Sequence, residues 1–249
     1  MSHKLKFAKG NAKLENDTAI LSLPAGHTCP FAKECFSKSD RVTGKITDGM
    51  QSKYRCYAAS AENLFETTRI SRWRNYETLK NCKTIPKMVG MIYGSLPRKG
   101  IKLVRVHASG DFFSQTYFDA WLKIASAKPN LIFYAYTKAL PYWIARKNRI
   151  PANFKLVASR GGKFDNMIKT YKLRNVRVVF SEAQASKFWK LKLDHDDKLA
   201  WQGDENFALL LHGTQPAGTK AAKALYKLRK LGQGGYKGNY FEGYKKKGE

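Results

Sequence analysis

Short apolar segments alternate with amphipathic ones along most of this chain. Apolar or β-branched runs predict six strands, and each is followed by a loop and by one or more segments of helical periodicity. The predicted strands are 18–23, 103–108, 131–136, 154–158, 176–180 and 207–211, and the predicted helices are 57–76, 85–96, 115–127, 140–147, 164–173, 182–191 and 219–231. Apolar strands alternating with helices are typical of a mainly parallel sheet that is buried on both faces. The pattern predicts an α/β fold of six βα units, either a partial (βα)6 barrel, which we favour, or a doubly wound sheet.

The chain has 249 residues, which one domain accommodates. We expect a single α/β domain over residues 1–231, with cysteine-bearing loops near its N-terminus. Residues 232–249 are rich in Gly, Tyr and Lys and predict a flexible basic tail. The longest apolar run, 131–136, is far too short to span a membrane, and the N-terminal residues hold no apolar core of a secretory signal. We expect a cytoplasmic protein with no membrane contact.

The charge of the chain is strongly positive. Lys and Arg number 46 against 19 Asp and Glu, which gives a formal net charge of +27. Such an excess favours a nucleic-acid partner, DNA or RNA, because basic side chains neutralise phosphates. In two clusters basic residues are interleaved with aromatic ones, which suits a nucleic-acid groove but also an amphipathic helix whose aromatic face is in the core. The candidate phosphate contacts are Arg69, Arg72, Arg74, Arg160, Lys187, Lys190, Lys220, Lys223 and Lys227.

All four cysteines fall in the first third of the chain, at Cys29, Cys35, Cys56 and Cys82. A chain without a secretory signal is an unusual place for a disulfide framework. Cysteines at loop ends and helix N-termini are favoured as thiolates, which bind metals. No pair has the short spacing of a zinc knuckle. The four cysteines therefore predict a [4Fe–4S] cluster, with zinc as the alternative and buried, unliganded thiols as the simplest reading.

Function in such folds gathers where the parallel strands end. A polar His-x-Ser-Gly-Asp sequence directly follows the apolar run that ends at Val106, and it contains His107 and Asp111. Each residue also has a structural explanation, since His107 could be a buried core histidine and Asp111 a helix N-cap. Glu182 and His212 follow later strands. The candidate catalytic residues are therefore His107, Asp111, Glu182 and His212, as a nuclease would need them around a metal or substrate.

Three sequence motifs carry a family resemblance. They are Leu-Ser-Leu-Pro-Ala-Gly-His-Thr-Cys-Pro at residues 21–30, Arg-Cys-Tyr-Ala at 55–58 and Val-His-Ala-Ser-Gly-Asp-Phe at 106–112. Over residues 18–215 the chain resembles the gene-product-eighty-eight-like family of bacteriophage proteins, which implies a phage origin but no reaction. More distantly it is similar to the radical S-adenosylmethionine enzymes, which are partial (βα)6 barrels with three clustered cysteines after the first strand. In that comparison Cys29, Cys35 and the Cys-Tyr-Ala at 56–58 form a stretched version of the motif.

Cys82 decides between two forms of the cluster hypothesis. Three cysteines leave one iron open to a ligand, whereas four close the cluster. With four cysteines and no fifth, the sequence favours a closed cluster in a nucleic-acid-binding phage protein. The rival interpretations are a radical S-adenosylmethionine-like enzyme or a nuclease, and a zinc-stabilised binding module without enzymatic activity. Whether the chain is an enzyme stays open at this point.

Overall fold

A computed structural model describes residues 4–10 and 14–233 of the chain. The strands are β1 Ala8–Lys9, β2 Thr18–Ser22, β3 Ser37–Ser39, β4 Ile46–Asp48, β5 Leu103–Ser109, β6 Ile132–Thr137, β7 Phe154–Ser159, β8 Asn175–Val179, β9 Lys192–Leu193 and β10 Phe207–Leu210. The α-helices are α1 Tyr57–Leu64, α2 Glu66–Asn81, α3 Ile85–Ser95, α4 Gln115–Ala127, α5 Leu140–Ile144, α6 Asn166–Thr170, α7 Lys198–Gln202 and α8 Lys220–Lys230. The predicted tail, apart from residues 232 and 233, lies outside the described residues.

The main sheet has eight strands in the order β1-β2-β5-β6-β7-β8-β10-β9. All neighbours in it are parallel except β1, which pairs antiparallel with β2. The six predicted strands are β2, β5, β6, β7, β8 and β10. They lie side by side in chain order, without the reversal that a doubly wound sheet has at its switch point. The single-domain α/β fold with a mainly parallel sheet is therefore confirmed.

The sheet curves around an interior. The rings of Tyr136 on β6 and Phe207 on β10 have centroids 6.2 Å apart, although β7 and β8 lie between their strands. Strands in a flat sheet are about 4.8 Å apart, so three steps would separate these residues by about 14 Å. The curvature agrees with a partial barrel, open between β1 and β9. On its convex face, Val104 and Val106 of β5 pack with the aromatic residues of α4.

Five of the seven predicted helices each correspond to one α-helix, namely α3, α4, α5, α6 and α8, and the other two differ from the prediction. The stretch 57–76 is not one helix, because Phe65 adopts an extended conformation (φ −124°, ψ 102°) and separates α1 from α2. The stretch 182–191 is helical only over residues 182–188, most of which form the π-helical turn Gln184–Phe188. The sequence pattern also missed the β3–β4 hairpin and α7, whose Ala200 closes the apolar interior at the end away from the cysteines. Within the described residues, no helix has the length and apolar character needed to span a membrane.

Candidate cluster site at the mouth of the sheet

Cys29 lies in the loop that leaves β2 at the C-terminal ends of the parallel strands, which we call the mouth. Two glycines with positive φ, one in this loop and one in the loop after β5, let the chain pack tightly here. A Cβ on Gly26 (φ +70°) would lie 2.3 Å from the Ser37 carbonyl oxygen, and one on Gly110 (φ +84°) would lie 2.5 Å from Thr28 Oγ1. Only glycine tolerates both the backbone conformation and the approach. The loop after β5 can therefore touch the loop that carries Cys29.

A β-hairpin joins Cys35 to Cys56. Strand β3 begins two residues after Cys35 and pairs antiparallel with β4, so that Ser37 lies opposite Asp48. The chain then returns, and the amide of Cys56 donates a hydrogen bond of 3.1 Å to Ser37 Oγ. Cys56 itself is the N-cap residue of α1. The 20 residues between Cys35 and Cys56 thus include a hairpin, and the chain leaves the site and comes back to it.

The mouth holds a cavity of about 160 Å³. Cys29, Cys35 and Cys56 line it, together with residues of β5, β6, β7, β8 and β10 and residues around the start of α1. We call it the mouth cavity. Its other polar and aromatic lining residues are Tyr54, Arg55, Tyr57, Arg105, His107, Ser109, Asp111, Tyr136, Lys138, Ser159 and His212.

The three cysteines of the mouth cavity interact electrostatically. Burial raises the pKa of Cys29 well above its usual value, and the charges of Asp111, Cys56 and Cys35 raise it further. Burial and then the charge of Cys35 raise the pKa of Cys56 to about 11, against the lowering effect of backbone amides in the first turn of α1. The free thiols of Cys29 and Cys56 are therefore neutral at physiological pH. A bound cation would reverse this, because a metal deprotonates the thiols that it binds.

Lys138 is a buried cation beside these thiols. Its Nζ donates a hydrogen bond of 2.6 Å to Ser159 Oγ, and among the described residues no carboxylate oxygen forms an ion pair with it. Burial lowers the pKa of Lys138, but the negative charges of Cys35, Asp111, Asp165 and Cys29 outweigh burial and raise it. A buried ammonium without a carboxylate partner is costly. Anionic sulfur at Cys35 and Cys29 would supply the missing charge.

Three residues that line the mouth cavity carry buried polar atoms without a hydrogen-bond partner among the described residues. These atoms are Arg105 Nε, His107 Nδ1 and Tyr136 Oη. The Arg105 guanidinium forms an ion pair of 2.7 Å with Asp197 and lies 5.4 Å from the Tyr136 ring centroid. Buried polar atoms in proteins are nearly always paired, so these atoms mark a place for water or a ligand. The sequence signal for Arg105 was a charged residue inside an apolar strand.

Cys82 lies apart from the other three cysteines. It is the C-cap residue of α2, its Sγ donates a hydrogen bond of 3.4 Å to the Thr78 carbonyl oxygen, and it packs against the core cluster between the sheet and the helices. It does not line the mouth cavity. The structure therefore brings together three of the four predicted ligands and leaves out the fourth.

The catalytic candidates divide in a similar way. His107, Asp111 and His212 line the mouth cavity, whereas Glu182 is exposed and lies outside its lining. Both Asp111 carboxylate oxygens are occupied, since Oδ1 accepts from Thr137 Oγ1 at 2.6 Å and Oδ2 accepts from the Lys138 amide at 2.8 Å. Asp111 is not the N-cap of α4, because Ser114 takes that position. Its carboxylate holds the loops of the mouth together rather than projecting toward a substrate.

Comparison with known proteins places the chain in a family. The family model described as Gene product 88 matches residues 3–228. The chain belongs to the Gene product 88 family. The Gene 88 proteins of Mycobacterium phages L5 and D29 are 32% and 29% identical to it, each over 90 residues that are 33% of this chain and 38% of the relative. The match thus spans well under half of these relatives, and no solved structure matches the chain.

Two of the basic residues predicted to contact phosphate have structural roles in this Gene product 88 chain. Arg69 and Arg72 are buried. Arg69 donates to the carbonyl oxygens of Arg41, Val42 and Glu62, and so holds the hairpin tip against α1. Arg72 Nη1 donates to the Ala58 carbonyl oxygen and to Glu62 Oε1, both at 2.8 Å. The expectation that these two bind nucleic acid is corrected, because their guanidinium groups are sequestered by the protein itself.

The other predicted basic residues are accessible. Lys187, Lys190, Lys220, Lys223, Lys227 and Arg74 are exposed, and Arg160 is half-buried with its Nε donating to Asn175 Oδ1 at 2.7 Å. Lys220, Lys223 and Lys227 follow each other at helical spacing on α8, whose opposite face packs through Ala221, Leu225 and Leu228. These three lysines form a basic stripe, which we call the α8 stripe. The family relatives carry the phage assignment, but their names state no partner or cofactor.

Proposed function

We propose that this chain carries a [4Fe–4S] cluster held by Cys29, Cys35 and Cys56, with one iron facing the mouth cavity. The observation that carries the proposal is that these three cysteines line one cavity while Cys82 packs elsewhere. This replaces the closed four-cysteine cluster favoured from the sequence. Three thiolates leave one iron of a cubane cluster free to bind a small ligand.

We prefer a cluster to a single zinc ion because the three-cysteine motif is distantly similar to that of enzymes that hold a cluster. In the described part of the chain, no three His, Cys, Asp or Glu side chains converge closely enough to bind one metal ion. Sulfur ligands around one zinc ion lie about 3.8 Å apart, since each Zn–S bond is about 2.3 Å. A cubane of four irons and four sulfides is larger and accepts thiolates that are farther apart. Lys138 would lie beside its negative charge, as outer-shell groups do around metal sites.

Polar residues that line the mouth cavity beside the cysteines suit a polar ligand. Arg105 Nε, His107 Nδ1 and Tyr136 Oη have unused hydrogen-bonding capacity there. When bound, such a cluster supplies a single electron to a ligand at its open iron. The candidate ligand is S-adenosylmethionine, on the distant likeness of the three-cysteine motif and the partial barrel to enzymes that use it. The chain's own residues would orient this ligand by hydrogen bonds and exclude water from it.

The second part of the proposal is nucleic-acid binding by the phage protein in the host cytoplasm. The net charge of +27 and the exposed α8 stripe support it. Phosphates bound by such side chains release counterions, so affinity should fall steeply with salt. A nuclease centred on Asp111 and Glu182 has less support, because the Asp111 carboxylate is fully engaged and Glu182 lies outside the cavity.

Addition of S-adenosylmethionine to the anaerobically reconstituted, reduced protein tests the open iron. We expect the electron paramagnetic resonance signal of the cluster to change, because the amino and carboxylate groups of the ligand can bind the free iron. Adenosine, which lacks these groups, serves as the control and should leave the signal unchanged. A spectrum that ignores S-adenosylmethionine, in a protein that contains the full cluster, would refute an accessible iron.

A further inference from the structure

A second cleft lies on the molecule away from the three cysteines. Its volume is about 500 Å³, and it is formed by α6, the start of β8 and the segment before β10. Four of its lining residues are basic and one is acidic, Asp204. The basic ones are Arg160, Lys169, Lys172 and Arg174. Its charge is therefore positive, and it contains no residue of the mouth cavity.

Two adjacent aromatic side chains project from the segment that follows β8. Phe188 is 72% exposed and Trp189 is 37% exposed, and their rings meet edge to face with centroids 4.8 Å apart. The guanidinium of Arg177 lies 3.8 Å from the Trp189 ring centroid. An amphipathic helix would have placed these rings in the core. Instead the π-helical turn leaves them in solvent, flanked by the exposed Lys187 and Lys190.

Arg160 and Arg177 connect the cleft with the aromatic pair. Arg160 lines the cleft, and Arg177 stacks on Trp189. The amide of Arg160 donates a hydrogen bond of 3.0 Å to the carbonyl oxygen of Val176, the residue before Arg177 on β8, and burial together with the charge of Arg160 lowers the pKa of Arg177. Glu34 and Asp165 act on Arg177 in the opposite direction, which limits the repulsion. We call the cleft together with Arg177, Phe188, Trp189 and Lys190 the outer groove.

The backbone keeps lysines in the outer groove at positions that favour glycine. Lys172 (φ 51°) and Lys190 (φ 53°) both adopt the left-handed conformation. Glycine is the usual residue in this conformation, with asparagine next, since the Cβ atom of most other residues makes it strained. Lys172 follows α6 and lines the cleft, and Lys190 directly follows Trp189. Both ends of the outer groove thus carry a positive charge where the backbone alone would favour a residue without one.

We infer that the outer groove binds single-stranded nucleic acid, with Phe188 and Trp189 stacking on unpaired bases and Arg160, Lys169 and Lys172 contacting phosphates. A basic groove with exposed aromatic rings beside it is the arrangement by which proteins bind single strands. In a duplex the bases are already stacked on each other and offer no free face to these rings. This inference rests on the nucleic-acid part of the proposed function and adds the location and the kind of strand.

The test compares binding of the full-length chain to labelled oligothymidine, oligouridine and a DNA duplex of the same length at low salt. We expect Phe188→Ala and Trp189→Ala each to weaken single-strand binding at least about fivefold, as loss of one stacked base does. Duplex binding should stay within about twofold in both variants. Tyr93→Ala is the matched control, since Tyr93 is 48% exposed under the ammonium of Lys128 but lies on α3. Circular dichroism confirms that each variant is folded.

The results of this experiment distinguish binding in the outer groove from nucleic-acid binding elsewhere on the protein. A variant that combines Lys220→Ala, Lys223→Ala and Lys227→Ala neutralises the α8 stripe. It should bind single strands and the duplex more weakly, by similar factors. If the aromatic variants bind oligothymidine and oligouridine as the wild type does while the stripe variant binds less, the outer groove is refuted and nucleic-acid binding stands. Equal losses for duplex and single strands refute strand preference. A wild type that binds none of the three probes refutes both.

Discussion

His107 is held neutral by its surroundings. It is buried, its Nε2 lies 3.1 Å from Tyr117 Oη, and the charged Arg105 is two residues away on β5. Burial, and next the charge of Arg105, lower the pKa of His107 to about 3. The imidazole is therefore a neutral hydrogen-bonding group at physiological pH. In the mouth cavity it can orient a ligand but does not add a positive charge to it.

This histidine makes stability depend on pH. The unfolded chain binds a proton at His107 near pH 6.5, whereas the folded chain binds it only near pH 3. Between about pH 6.5 and pH 3 only the unfolded chain binds this proton. The free energy of unfolding therefore falls as the pH is lowered through this range, by up to about 1.4 kcal/mol per pH unit, and His107 causes no loss above about pH 6.5. Urea unfolding at several pH values should show a flatter profile for His107→Gln than for the wild type. The exposed His195→Gln is the control, and an unchanged slope in His107→Gln would contradict the buried neutral histidine.

Some of these residue roles were visible in the sequence and some were not. The ends of the predicted strands correctly pointed to His107, Asp111 and His212 as lining residues, because parallel strands end on one side. Lys138 also follows a strand end, and the same rule could have found it. Burial of Arg69 and Arg72 could not be predicted, because it depends on carbonyl oxygens from the hairpin and from α1 that only the tertiary structure brings together.

At the scale of elements, the β3–β4 hairpin accounts for the unusual cysteine spacing. Cys35 and Cys56 are far apart in sequence, but the hairpin begins and ends beside the site. The sequence pattern predicted no strands there, because strands of three residues are too short to show a period. The longer strands of the main sheet were predictable, since each is a nearly continuous apolar run. Spacing along the chain was therefore a poor guide to which cysteines lie together.

Glu62 connects the elements that position Cys29 and Cys56. Its Oε1 accepts from the Ala25 amide at 2.9 Å, in the loop of Cys29, and from Arg72 Nη1 of α2 at 2.8 Å. Glu62 is fully buried on α1, the helix that begins after Cys56. Interactions of one carboxylate with three elements keep the helices and the loop in register.

Removal of this carboxylate should be costly. We expect Glu62→Ala to lower the free energy of unfolding by about 3–5 kcal/mol, because Arg72 is left buried and unpaired. Glu205→Ala removes an exposed ion pair with Lys192 and should cost less than about 1 kcal/mol. Chemical denaturation of both variants beside the wild type measures the difference. A loss for Glu62→Ala no larger than for Glu205→Ala would show that the buried network contributes little.

At the scale of the whole molecule, the basic residues behind the net charge of +27 have several different roles. Arg69, Arg72 and Arg105 are buried and bind carbonyl oxygens or buried carboxylates of the protein itself. Lys138 lies at the mouth cavity, and exposed cations are spread over α8, the outer groove and other parts of the described surface, Lys53 and Lys102 among them. Composition predicts a polyanion partner, which stays a prediction, and it could not show which cations are buried, since the tertiary structure decides which of them reach solvent.

The central claim is that three cysteines, without Cys82, hold an iron–sulfur cluster. Iron and acid-labile sulfide per chain, measured after anaerobic reconstitution of Cys82→Ser and Cys56→Ser, test it most directly. We predict that Cys82→Ser retains about four irons and four sulfides per chain, with the broad absorption near 400 nm, and that Cys56→Ser loses most of both. A Cys82→Ser protein that loses its iron as fully as Cys56→Ser does would contradict the account.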